Sequence, residues 1–158
     1  MTERQEPRVK LPAPSHLGIV VKDMDQAMKY YSSIFGWGPF QVQELDMKVI
    51  PFIFRGKPGS GRFKVATARL GSMVVELFQD LEGETPYTEF RKKKGEGVHH
   101  LGFQVDDFDK ALAALTQEGI EPIFQGRFGD GAFAYFSTDK VGGVVFELMN
   151  QFLNFPAP

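Results

Sequence analysis

The 158-residue sequence predicts an α+β fold built as a tandem repeat, each half opening on a strand, passing through one helix and returning through further strands. Two observations carry that expectation. The stretch Ser15 to Asp25, SHLGIVVKDMD, returns from His99 as HHLGFQVDDFD. Superposed, His16 meets His100, Leu17 meets Leu101 and Gly18 meets Gly102. Val21, Asp23, Asp25 and Ala27 meet Val105, Asp107, Asp109 and Ala111, giving seven identities in twelve positions. Each half also closes on a similar strand, Val74-Val75-Glu76-Leu77 in the first and Val145-Phe146-Glu147-Leu148 in the second. Each half therefore begins with a strand carrying a His and ends with a strand carrying a Glu.

The elements follow in chain order. Residues 1–14, with Pro7, Pro12 and Pro14, read as a loosely held arm. His16 to Lys22 alternates, so Leu17, Ile19 and Val21 face one side of a strand and His16, Gly18 and Val20 the other. Asp23 caps a helix to about Phe35, on which Met24, Ala27, Met28, Tyr31 and Ile34 recur at helical spacing, and Gly36 stops it. Strands are expected at Phe40 to Leu45, Lys48 to Phe54, Lys64 to Arg69 and Met73 to Gln79, with a loop from Arg55 to Gly61. The first copy spans 60 residues from His16 to Glu76 and the second 47 from His100 to Glu147. The excess of 13 falls on that Gly-rich loop, which reads as a flap over the site.

A connecting segment, 81–97, separates the first module (15–80) from the second (98–150). Within it, Thr85 to Lys94 reads as a short helix, with Pro86 early and the cations Arg91 to Lys94 at its C-terminal end. That run reads as a solvated helix end rather than an anion site. The second module repeats the plan: a strand from Val98 to Val105, a helix capped by Asp107 and ended by Gly119, then strands near Glu121 to Phe128, Ala132 to Ser137 and Gly143 to Met149. Gly126 to Gly131 lacks the strand–loop–helix setting of a phosphate cradle and reads as a hairpin turn. The tail, 151–158, carries Phe152, Leu153 and Phe155, suited to covering a sheet edge or a partner chain.

Composition excludes several classes. A net charge of −2 gives no basic surface for nucleic acid or an anionic membrane. The absence of Cys removes disulfides and thiolate metal sites. No apolar run reaches the length of a membrane span, and the N-terminus lacks the apolar core of a signal peptide, which reads as a cytoplasmic protein. Sixteen Phe allow an apolar interior, with Phe40, Phe52, Phe54, Phe63, Phe103, Phe128, Phe133 and Phe136 as candidate lining.

His16, Glu76, His100 and Glu147 form the constellation with chemical content. A lone strand His is usually a packed residue. Two at equivalent repeat positions, each matched with an equivalent Glu, make a set suited to zinc, cobalt, nickel, manganese or iron, with positions left for water or substrate oxygen. His99 falls on the opposite side of its strand from His100 and aligns with Ser15, which gives it a structural or supporting role.

These residues resemble the vicinal oxygen chelate superfamily, which includes glyoxalase I, methylmalonyl-CoA epimerase, extradiol dioxygenases and drug-resistance binding proteins. The likeness runs from Ser15 to Asn150 and is nearest to methylmalonyl-CoA epimerases in the stretches Val75 to Phe78, Lys94 to His100 and Val141 to Leu148. It implies two tandem βαβββ modules whose curled mixed sheets enclose a metal-centred cavity, with His16, Glu76, His100 and Glu147 as ligands and a homodimer as the assembly. Glu76 stands where the epimerases often have Gln, a feature more typical of glyoxalase I. The further carboxylate base expected of epimerases has Glu44 as its one candidate. The expected activity is a divalent-metal-dependent epimerase or isomerase moving a proton beside a carbonyl or thioester, with Glu76 and Glu147 as catalytic acid and base. The expected substrate is a small molecule such as an acyl-CoA. The alternatives are a lactoylglutathione lyase-type enzyme and a non-catalytic binder of apolar small molecules.

Overall fold

The computed structural model describes residues 6–152. Among them, ten strands form one mixed sheet: β1 (His16–Val20), β2 (Gln41–Asp46), β3 (Ile53–Phe54), β4 (Lys57–Pro58), β5 (Arg62–Leu70), β6 (Met73–Glu82), β7 (Gly97–Gln104), β8 (Pro122–Phe128), β9 (Gly131–Phe136) and β10 (Val145–Met149). Three helices accompany them: α1 (Met24–Phe35), α2 (Pro86–Lys94) and α3 (Phe108–Gln117). The strand order is β2-β5-β6-β1-β7-β10-β9-β8-β3-β4. The repeat is visible in that order. β6 runs parallel to β1 and β10 parallel to β7, while β1 and β7 meet antiparallel at the centre.

The helices sit where their end signals put them. Asp23, Thr85 and Asp107 each accept a hydrogen bond from the backbone N–H three residues on. Gly36, at φ 70°, closes α1 in the left-handed conformation that glycine adopts without a Cβ penalty. α1 covers a layer of Ile19, Val21, Ala66 and Leu77, and α3 covers the matching layer of Phe103, Ala134, Phe136 and Leu148. Phe40, Phe103 and Phe136 therefore belong under the helices, and not to a cavity.

The opposite face of the sheet holds one cluster joining Leu45, Phe63, Val65 and Phe78 from one half to Phe124, Phe133, Tyr135 and Met149 from the other. Strands on either side of the β1–β7 seam share that cluster only because the sheet curls around it.

Several expectations are corrected. Residues 47–50 form a turn rather than a strand, and only Ile53–Phe54 pairs, with β8 of the second half. The Gly-rich loop is a tight β3–β4 hairpin fastened across the two halves, with Phe52 buried beneath it, not a free flap. The arm has no regular structure over residues 6–14, yet Val9 and Leu11 pack against the α3 layer and Arg8 pairs with Glu118 at 2.9 Å. The run Arg91 to Lys94 is the exposed helix end expected of it, with Arg91 making two hydrogen bonds to Asp80, Lys92 bonding Glu84 and Lys93 bonding Glu89. In the tail, Leu153 and Phe155 lie outside the described residues, and Phe152 packs on the His16 ring at 5.4 Å between centroids.

Candidate metal centre

The β1–β7 pairing builds the site. His16 lies opposite Gly102 and Gly18 opposite His100, so each module's imidazole lies over the other module's glycine. A Cβ at either glycine would overlap the facing ring. Glycine therefore appears in both copies because the rings need that space. From the flanking strands, Glu76 is in register with Gly18 and Glu147 with Gly102. Alternation then aims all four side chains at the concave face.

All four are buried, and one donor atom from each lies within 4.8 Å of the others. His16 Nε2 is 2.8 Å from Glu147 Oε2 and 3.8 Å from Glu76 Oε2. His100 Nε2 is 3.0 Å from Glu147 Oε2 and 3.5 Å from Glu76 Oε2. Despite that proximity, His100 Nε2 is buried with no hydrogen bond of acceptable geometry. Burial works against charge on His100, but Glu147 and Glu76 outweigh it and raise its pKa to about 9. Burial likewise opposes ionisation of Glu147, and the facing His16 and His100 outweigh it and lower its pKa to about 2.

An orphaned ring nitrogen, a second ring nitrogen and two carboxylates converging in a buried pocket fit a divalent ion. Two carboxylates balance its charge while both imidazoles stay neutral.

Beside the cluster lies a cavity of about 40 Å³ walled mainly by apolar residues, among them Phe52, Phe63, Phe78, Phe124 and Phe133. Phe52, Phe63, Phe128 and Phe133 of the expected lining are present, whereas Phe54 packs behind them. The sequence reading missed Phe78 and Phe124. Phe78 had a signal, since it lies two residues from Glu76 on the same strand and so shares its face. It also missed Tyr87 and Tyr135, whose hydroxyls bond at 2.7 Å within the lining. Both phenols are raised well above their ordinary pKa by burial. Glu44 is not part of the site: it sits on edge strand β2, paired with Arg62 at 2.7 Å.

A β-bulge takes His99 out of the strand alternation expected of it, while leaving it beside His100 as a supporting residue. β1 pairs Gly18 with His100 but Ile19 with Val98, leaving His99 as the extra residue. Its Nδ1 lies 2.9 Å from His100 Nδ1, and burial, with His100 beside it, lowers its pKa to about 3.

Residues 15–136 match the family model of the Glyoxalase/Bleomycin resistance protein/Dioxygenase superfamily. The mitochondrial methylmalonyl-CoA epimerase of Mus musculus is 28% identical over 151 residues, covering 92% of this chain and 77% of that one. The lactoylglutathione lyase of Schizosaccharomyces pombe is 22% identical over 129 residues, covering 78% of this chain and 42% of that one. A Streptomyces coelicolor methylmalonyl-CoA epimerase (E43Q), solved in complex with 2-nitronate-propionyl-CoA, shares the fold with a TM-score of 0.69 at 21% identity. That match covers 89% of this chain and 97% of that one.

Proposed function

The chain belongs to the Glyoxalase/Bleomycin resistance protein/Dioxygenase superfamily, and from that membership we propose that it is a divalent-metal-dependent epimerase or isomerase. It moves a proton at a carbon beside a carbonyl or thioester, with an acyl-CoA as the substrate class. One observation carries the reading: two buried carboxylates from pseudo-symmetric strands flank a single point at the edge of an apolar cavity.

His16, Glu76, His100 and Glu147 would hold the ion. When bound, it supplies positive charge beside the substrate's carbonyl oxygen and acidifies the neighbouring C–H. The protein's own groups do the rest. Glu76 and Glu147 lie on opposite sides of the pseudo-dyad, so one carboxylate takes the α-proton while the other returns one to the opposite face. The ring-lined wall excludes water, which strengthens each electrostatic contact at the reacting carbon. The epimerase relative at 28% identity and the acyl-CoA analogue bound by the Streptomyces enzyme support this substrate class.

Incubating metal-loaded protein with 2-substituted acyl-CoA thioesters in deuterated water tests the reading. Deuterium at the α-carbon is the expected result. No exchange with any of them, in protein shown to contain metal, overturns it.

A further inference from the structure

The residue preceding each candidate ligand His places a polar atom at that histidine's Nδ1 in both halves, although the two side chains differ. In the first repeat Ser15 Oγ lies 3.0 Å from His16 Nδ1 and 3.3 Å from the Gly102 carbonyl. The carbonyl can only accept; with the hydroxyl proton directed to it, a Ser15 lone pair is left to receive a proton from His16 Nδ1. In the second repeat His99 Nδ1 lies 2.9 Å from His100 Nδ1. Two ring nitrogens at that distance need one N–H and one lone pair between them.

We propose that Ser15 and His99 are paired positioning residues. Each accepts the Nδ1–H of the histidine that follows it and so leaves that histidine's Nε2 lone pair free for a metal ion. The assignment rests on the reading of the four-residue cluster as a metal centre and adds two residues to it. His99 accepts through Nδ1, so its own ring proton resides on Nε2. The ring is buried and held in place by edge contacts with Tyr87 and Phe90, at 5.5 and 5.2 Å between centroids.

The β-bulge provides the geometry. In a regular strand, consecutive side chains point to opposite faces and residue 99 could not reach residue 100. The extra residue turns His99 back against its neighbour. At Ser15 no bulge is needed. Its backbone pairs ahead of β1 with Gly102 and Val74, and the short side chain bends over to reach His16.

Cobalt(II) binding reports on this directly, because affinity and the visible absorption of the bound ion both depend on ligand orientation. His99→Phe keeps a ring but removes the acceptor, and Ser15→Ala removes the hydroxyl. Each is expected to weaken Co(II) binding roughly 10- to 100-fold and to alter the visible spectrum. His99→Asn places an oxygen where Nδ1 sits, and Ser15→Thr keeps the hydroxyl. Both are expected to retain near-wild-type affinity and spectrum. Nitrogen-15 spectra of wild-type protein loaded with zinc should show His16 and His100 protonated at Nδ1, a readout that needs no variant to fold.

Wild-type affinity and spectrum in His99→Phe and Ser15→Ala overturn the proposal while leaving the metal centre intact. Equal losses in His99→Asn and His99→Phe also overturn it, since the role is then one of packing. Ring protons at Nε2 in the zinc-loaded protein would do the same. If wild-type protein takes up no Co(II) or zinc at all, the metal centre and this proposal fall together.

Discussion

Gly102 and His16 occupy one space between them: the glycine has no Cβ where the imidazole lies, and Gly18 stands in the same relation to His100. The repeated His-Leu-Gly is thus a reciprocal cradle, each copy supplying the ring for one half and the vacancy for the other.

Gly102→Ala is therefore expected to push His16 out of the cluster and Gly18→Ala to push out His100. Both should weaken zinc binding at least about tenfold, as for a misdirected ligand, without loss of the β1–β7 pairing. Isothermal titration calorimetry with zinc, alongside far-UV circular dichroism of each variant, checks this.

Metal removal should cost stability. At free zinc of 100 times the dissociation constant, the bound protein gains about 2.7 kcal/mol over the metal-free form. His100→Ala and Glu147→Gln should abolish most of that gain. Thermal melts with zinc and with a chelator measure the difference, and a variant whose midpoint still rises with zinc would contradict the ligand assignment.

Proton release gives a pH signature. Without an ion, the His100 pKa is held up to about 9 by Glu147 and Glu76, so near pH 8 the ring is mostly protonated. An ion on Nε2 must expel that proton. Binding at pH 8 should release about one proton from His100 per ion, and affinity should climb with pH until about 9. The metal-free protein behaves oppositely. Stability from this raised pKa is full below the unfolded value of 6.5 and lost as pH rises through about 9. Calorimetry in buffers of different ionisation enthalpy counts the protons.

The phenol pair predicts non-additivity. Tyr135→Phe leaves the Tyr87 hydroxyl buried without its partner, and Tyr87→Phe does the converse. Each should cost about 1–3 kcal/mol, whereas the double variant should cost clearly less than their sum, because no unpaired hydroxyl remains. Urea unfolding of the four proteins closes the cycle.

Glu89, on α2, ties the helix to the β3–β4 hairpin through Arg55 and also bonds Lys93 one turn on, and hydrogen bonding to Arg55 leads in lowering its pKa to about 2. A lowered carboxyl pKa stabilises above the unfolded value, 4.5, and that contribution is lost as pH falls through about 2. Glu89→Gln should thus cost on the order of 1 kcal/mol at neutral pH, discounted for solvent screening. The gap from wild type should close on acidification, as urea midpoints across pH 2 to 7 would record.

Much of this was legible along the chain because the signals are local or duplicated. Asp23 and Asp107 announce helix starts through hydrogen bonds spanning three residues. The match of His16 with His100 and of Glu76 with Glu147 needs no knowledge of which strands are neighbours. Other features needed neighbours. Residues 48–54 look like a strand by composition, yet only Ile53 and Phe54 form one, between β4 of the same hairpin and β8 of the other half. Tyr87 and Tyr135 meet across 48 positions, a contact no local pattern encodes. His99 departs from strand alternation because the bulge depends on how β7 registers against β1.

The repeat, the helix ends and the identity of four buried polar residues could be read from the chain alone, because all are properties of short segments or of their repetition. The folded sheet was needed to show that the two opening strands pair antiparallel, so that each imidazole lies over the other copy's glycine and an extra residue turns back against its neighbour. The reason is physical: alternation tells which face a side chain takes, but register between distant strands sets what it meets there, and register is fixed only when the whole sheet packs at once.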